Sequence, residues 1–123
     1  MQVVQPNAQT AAILRKALFR AADRLELKQD DLAAVLGLSA ATISRLARQQ
    51  STLAPDSKEG ELALLFLRMF RSLDALLGHE QDKAKSWLNA DNYDLGGVPR
   101  ERIKTIEGLV DVVRYLDAMR GPI

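Results

Sequence analysis

The stretch Gln29-Asp-Asp-Leu-Ala-Ala-Val-Leu-Gly-Leu-Ser-Ala-Ala-Thr-Ile-Ser-Arg-Leu-Ala-Arg48 decides how the chain is read, because its small and apolar residues fall where two crossed helices must touch. Leu32, Ala33 and Leu36 share the inner face of a first helix, and Ile43 and Leu46 share that of a second. Gly37 lies between them. A glycine there takes the positive φ that ends the first helix at little steric cost, so the chain can reverse within a few residues. Ala33 keeps the point of closest approach small, and Ser39 is placed to cap the second helix by accepting a backbone N–H about three residues on. The pattern is that of a helix-turn-helix. The same spacing also serves an ordinary helical hairpin inside an all-α core.

Working outward, residues on the free face of the second helix decide whether bases can be read. Ala40, Ala41 and Thr42 open that face, and Ser44, Arg45 and Arg48 follow. Arginine can bridge guanine O6 and N7, and Ala or Thr methyl groups can pack on a thymine methyl. Gln29, at the start of the preceding helix, can bond a phosphate and fix register. Few hydrogen-bonding groups are available here, so discrimination per subunit is modest and a dimer is needed to multiply it. Lys28 stands in the capping position before the first hairpin helix, where Ser or Thr is usual, and Asp30 and Asp31 compensate by placing negative charge at that helix's positive end.

Upstream, Met1 to Gln9 reads as a loose polar lead containing Pro6, and Thr10 as the cap of a helix running to about Glu26. Leu14, Leu18, Ala21, Ala22 and Leu25 recur at the three- and four-residue spacing of one helical face, with Arg15, Lys16, Arg20 and Arg24 mostly off it. The chain has 123 residues, no cysteine and one histidine, His79, which excludes disulfides, thiolate metal sites and a histidine metal cluster. Neither catalysis nor a cofactor is expected. No apolar run approaches the ~18 residues of a membrane span, and the first ten residues lack a signal peptide's features, so the expected location is the cytoplasm. Net charge is +1, but residues 1–54 carry seven Lys or Arg against four Asp or Glu, whereas residues 55–123 carry ten against twelve. A basic front half and an acidic back half suit one part that meets phosphate and another that meets protein, although solvated faces vary as much by chance.

Downstream, Gln49 to Lys58 is a polar connection around Pro55 and the one clear candidate for a domain boundary. The helix from about Glu59 to Leu77 carries apolar residues over an arc of roughly 200°, against the ~100° stripe of a surface helix. Phe66, Met69, Phe70 and Leu73 therefore point to dimerisation, unless the chain's other helices wrap this one entirely. Gly78 closes it, and Glu80 to Asn89 forms a short helix with Trp87 and Leu88. Asn92-Tyr-Asp-Leu-Gly-Gly-Val-Pro99 breaks the helical pattern; with no Lys-Ser/Thr after its glycines and no strand before them, it is a structural turn rather than a phosphate loop. Pro99 to Thr105 makes one more short helix. In the last, Ile106 to Arg120, the apolar arc again exceeds half the circumference, which points to a protein partner.

The order Leu53 to Ser57, an apolar helix, Ala84-x-x-Trp87-Leu88, Asn92-x-x-Leu95-Gly96-Gly97-x-Pro99, Thr105-x-x-Gly108 and a closing Arg120-Gly121 resembles the Xre/MbcA/ParS antitoxins, over residues from about 10 to 123. These are small bacterial proteins encoded beside toxins with a RES domain. The resemblance implies an all-α fold whose first half is similar to Cro/C1-type repressors and whose second half binds and inactivates the toxin. RES toxins of this family act on NAD, so the antitoxin itself needs no cofactor. It also implies that the end of the chain, with Tyr115, Met119, Arg120 and the Gly121-Pro122-Ile123 tail, lies against the toxin; the alternative toxin-binding surface is that around Trp87, Leu95, Gly96 and Gly97. Lys28 and the Ala40-Ala41 face depart from the family's pattern, and some members keep the hairpin without binding DNA.

The expectation is a helix-turn-helix DNA-binding domain over residues 1–54 and a small helical toxin-binding and dimerisation domain over residues 55–123. Its partners are a RES-domain toxin, operator DNA and a second copy, and no membrane. Two alternatives are a pure interaction module with the hairpin as scaffold, and a stand-alone phage-type repressor.

Overall fold

The computed structural model describes residues 6–121, and among them seven helices run in the order α1 (Pro6–Arg24), α2 (Gln29–Leu36), α3 (Ala40–Ala47), α4 (Lys58–Leu76), α5 (Gln81–Asn89), α6 (Pro99–Arg102) and α7 (Ile106–Arg120). The expected lead before Pro6 and the end of the tail, Pro122 and Ile123, lie outside the described residues. From Pro6 the chain is already helical, so Thr10 sits inside α1 and not at its cap. The buried face of α1 extends back to Ala11, and proline suits a first helical turn, where its missing N–H has no partner to lose.

Local chemistry closes the hairpin as the residues dictate. Gly37 ends α2 at φ 68°, and the Ser39 hydroxyl oxygen accepts the Thr42 N–H at 3.1 Å to start α3. Lys28 precedes α2 with no side-chain cap. One continuous core then runs from Leu14 on α1 to Leu116 on α7, without a break at residue 54. Helix α4 is its axis, packing most extensively on α7 and also on α1, α2 and α5.

That arrangement corrects the reading of α4. Phe66 and Met69 are fully buried and Leu73 is 1% exposed, while Phe70 is half-buried against the same core. The wide arc is filled on one side by α1 and α2 and on the other by α7, so these residues are not a free face for a second copy. Most of α7's arc is filled too, by Leu109, Val112, Val113 and Leu116 turned inward; Ile106 and Met119 remain exposed.

Helices α4 and α7 start by the same device. Ser57 accepts the Gly60 N–H at 3.0 Å, and Thr105 accepts the Gly108 N–H at 3.0 Å. Each hydroxyl also turns back to the carbonyl three residues earlier, Ser57 to Ala54 at 2.6 Å and Thr105 to Arg102 at 3.4 Å. Those carbonyls pass so close to the helix that a Cβ at Gly60 would lie 1.9 Å from the Ala54 oxygen, and one at Gly108 would lie 1.8 Å from the Arg102 oxygen. Because Thr105 is extended to act as a cap, α6 stops at Arg102, short of the expected Thr105. Before it, Asn92 and Gly97 exchange backbone hydrogen bonds at 2.9 and 3.2 Å, and the Asn92 side chain accepts the Leu95 N–H at 3.2 Å, which makes this segment the structural turn expected.

Candidate nucleic-acid and protein interfaces

The free face of α3 carries most of the residues expected to read DNA. Ala40, Ala41 and Arg45 are exposed, Thr42 and Ser44 are half-buried, and Arg48 is exposed at the helix's end. Gln29 is exposed at the first residue of α2. Ser39, Thr42 and Arg45 form one hydrogen-bonded row: the Ser39 hydroxyl donates to Thr42 Oγ1 at 2.8 Å, and Arg45 Nη2 donates to the same oxygen at 3.2 Å. This leaves the rest of the Arg45 fork turned to solvent and able to make a bidentate contact. Arg15, which periodicity places off the packed face of α1, proves to hold this helix: its Nε donates to the Leu46 carbonyl at 2.9 Å and its Nη2 to the Ala47 carbonyl at 3.0 Å. A cation at a helix C-terminus satisfies carbonyls that lack partners and suits the dipole. Phe19 lies under the same guanidinium, 5.6 Å from ring centre to Cζ.

A second set of side chains gathers where α5, the 92–97 turn and α7 meet. Trp87 stacks on Tyr115 with ring centres 6.4 Å apart, and the Tyr115 hydroxyl donates to Asp94 at 3.1 Å. That carboxylate holds the phenol above its ordinary value, and desolvation adds to the effect. Tyr93, at the tip of the turn, is 97% exposed, and Gly96 is exposed beside it. A groove of about 530 Å³ opens here between Tyr93, Arg102, Arg114 and Tyr115. Leu95 is corrected: at 7% exposure it anchors the turn in the core and offers no contact surface, while Gly97 is half-buried against the Arg102 stem.

Tyr115, Met119 and Arg120 do not form one face. Tyr115 leans towards Asp94, whereas Arg120 reaches α4 on the other flank of α7, donating from Nη1 to Ser72 Oγ at 3.1 Å. Met119 is 56% exposed. Ser72, fully buried, in turn donates to Asp117 at 3.0 Å, and Asp117 pairs with Arg68.

Ion pairs tie the hairpin to the second half. Asp31 at the start of α2 meets Arg100 of α6 and, at 3.0 Å, Lys104, while Lys85 of α5 reaches Glu26 at 2.8 Å. Burial pushes the Asp31 carboxyl up, but hydrogen bonds from Arg100 and Lys104, and their charges, outweigh it and hold the group below the ordinary value. Lys104 is raised by its hydrogen bonds to Glu101 and Asp31. In the sequence, Asp31 signals only a favourable charge at a helix start.

No helix among the described residues is long and apolar enough to cross a membrane. Residues 7–68 match the family model of the antitoxin Xre-like helix-turn-helix domain, and residues 72–122 match that of the antitoxin Xre/MbcA/ParS C-terminal toxin-binding domain. Neither is an enzyme family. The two matches divide within α4, the helix that both halves share. No match to a curated protein was found for this chain.

Proposed function

The chain belongs to the Xre-like antitoxins, with a helix-turn-helix part and a toxin-binding part, and from that premise we propose that it neutralises a RES-domain, NAD-degrading toxin and represses its own operon. The observation that carries the proposal is the pairing of two chemically different surfaces on one core. One is the α3 face, where Arg45 and small side chains suit a major groove. The other is the Trp87–Tyr115 stack with exposed Tyr93 and Met119, where aromatic and Met side chains are of the types that concentrate binding energy at protein interfaces. The two sets share no residue.

Toxin held against Trp87, Gly96, Tyr115, Met119 and Arg120 is blocked from admitting its substrate. Operator DNA is read by α3, with Gln29 and Ser39 at the helix starts nearest the phosphates. Because each α3 offers few base-reading groups, two copies are required, set about one DNA turn, ~34 Å, apart.

The test is a double dissociation. Replacing Tyr115 and Met119 together with Ala should release toxin activity on co-expression, seen as arrested growth, while promoter mobility shifts persist. Arg45→Ala should weaken promoter binding by about 1–3 kcal/mol, the worth of one bidentate base contact, while growth protection persists. Full protection by the double variant overturns the toxin surface. Absence of promoter binding by the parent favours the hairpin as a scaffold, a reading supported by the uncapped start of α2 at Lys28.

A further inference from the structure

The second half of the chain is slightly acidic, yet one of its grooves is basic. Between α4 and α7 lies a cleft of about 540 Å³ whose walls carry Arg68, Arg71 and Arg120 and a single acid, Asp117. That acid is already engaged, by Arg68 and by the Ser72 hydroxyl, so its charge is spent within the wall. Arg120 is held in place by its hydrogen bond to Ser72. Arg71 is exposed and has no ionic or hydrogen-bonded partner among the described residues, and Leu64, half-exposed, and Leu67 form an apolar floor beside it.

Building on the toxin-binding reading above, we propose that this groove is a second contact site for the toxin and receives an acidic segment of it. Carboxylates of that segment would pair with Arg71 and with the outer donors of Arg68 and Arg120, and an apolar side chain would cover Leu64. Guanidinium forks match carboxylates in a planar, two-point geometry, and a site already ordered by Ser72 and Asp117 gives up less conformational freedom on binding. Helix α7 then contributes both flanks to the toxin, Tyr115 on one and Arg120 on the other, which accounts for contact-type residues that share no single face.

The experiment measures affinity of the full chain for its purified, catalytically inactive RES-domain toxin by titration calorimetry at low and high salt. Because Arg71 is exposed and unpaired among the described residues, Arg71→Glu should melt like the parent yet bind about tenfold more weakly, with a flatter salt dependence, while Arg71→Lys stays near the parent. Arg20→Glu on α1 makes the same change in net charge away from the groove and should leave affinity unchanged. Equal affinities for Arg71→Glu and Arg20→Glu overturn the groove while leaving toxin binding intact. Failure of the parent to bind overturns the toxin reading, and this inference with it. Loss of self-association in Arg71→Glu at unchanged toxin affinity assigns the groove to a second copy of the chain and also overturns the proposal.

Discussion

The starts of α4 and α7 use the same four-residue device, a hydroxyl cap followed by glycine, and differ in what the preceding turn delivers. Before α4, the turn carries Leu53, 1% exposed, into the hairpin's core, and the Ser57 hydroxyl closes it tightly on the Ala54 carbonyl at 2.6 Å. Before α7, the turn follows α6, and the corresponding bond from Thr105 is long at 3.4 Å. Closure there is shared with ion pairs: Arg100 and Lys104 flank Ile103, and both meet Asp31 of the hairpin. One start is fastened locally and the other across the molecule. A single motif therefore joins both halves of the chain to the central helix pair.

The largest expected effect comes from filling either point of closest approach. Gly60→Ala and Gly108→Ala each place a Cβ under 2 Å from a backbone oxygen. A backbone carbonyl cannot move aside as a side-chain tip can, so each should cost about 3 kcal/mol, and the ~1 kcal/mol gain in helix propensity does not offset it. Urea unfolding followed by Trp87 fluorescence and by far-ultraviolet circular dichroism should give coincident transitions in the parent and in both variants, because α4 belongs to one core. Separate transitions for the two halves would break the comparison and restore a domain boundary at residue 54.

Asp31→Asn removes the long-range fastening and should cost about 2 kcal/mol at neutral pH, in the range of hydrogen bonds to charged groups. The carboxyl is held below its ordinary 3.8 in the folded chain, so its contribution is fully present above that value and is lost as pH falls through the lower, folded value. The difference in unfolding midpoint between parent and Asp31→Asn should therefore stay constant from pH 7 to pH 5 and narrow below 3.8. A constant difference down to pH 2 would remove Asp31 as the fastening.

The smallest effects distinguish the caps. Ser57→Ala should cost about 1.5 kcal/mol and Thr105→Ala about 1 kcal/mol, since both lose the cap bond and Ser57 also loses the shorter bond to the preceding carbonyl. Equal costs in denaturant titrations would show that the shorter second bond contributes nothing.

Much of the architecture was legible because its signals are local. Gly37, the Ser39 cap, the Asn92–Gly97 turn and the span of α7 are each decided within a few residues by φ preference, hydroxyl geometry or helical period. The outward face of α3 was legible for the same reason: once Ile43 and Leu46 face inward, Arg45 and Ala41 must face outward. Local signals misled at Thr10, where the helix already runs from Pro6, and at the end of α6, where Thr105 caps the following helix instead of ending the preceding one.

By itself, then, the sequence determined which segments are helical, which face of each is apolar and which family the chain belongs to. Only the tertiary structure decided how the wide apolar arc of α4 is shared. Phe66, Met69 and Leu73 look the same whether a second copy or the chain's own α1, α2 and α7 cover them, because a helix's periodicity states how much surface must be buried and not what buries it. The pairs that tie separate helices together, Arg15 with the end of α3 and Asp31 with Arg100, join residues 31 and 69 positions apart. Contacts at such separations depend on how the helices pack in three dimensions, and no short-range pattern encodes them.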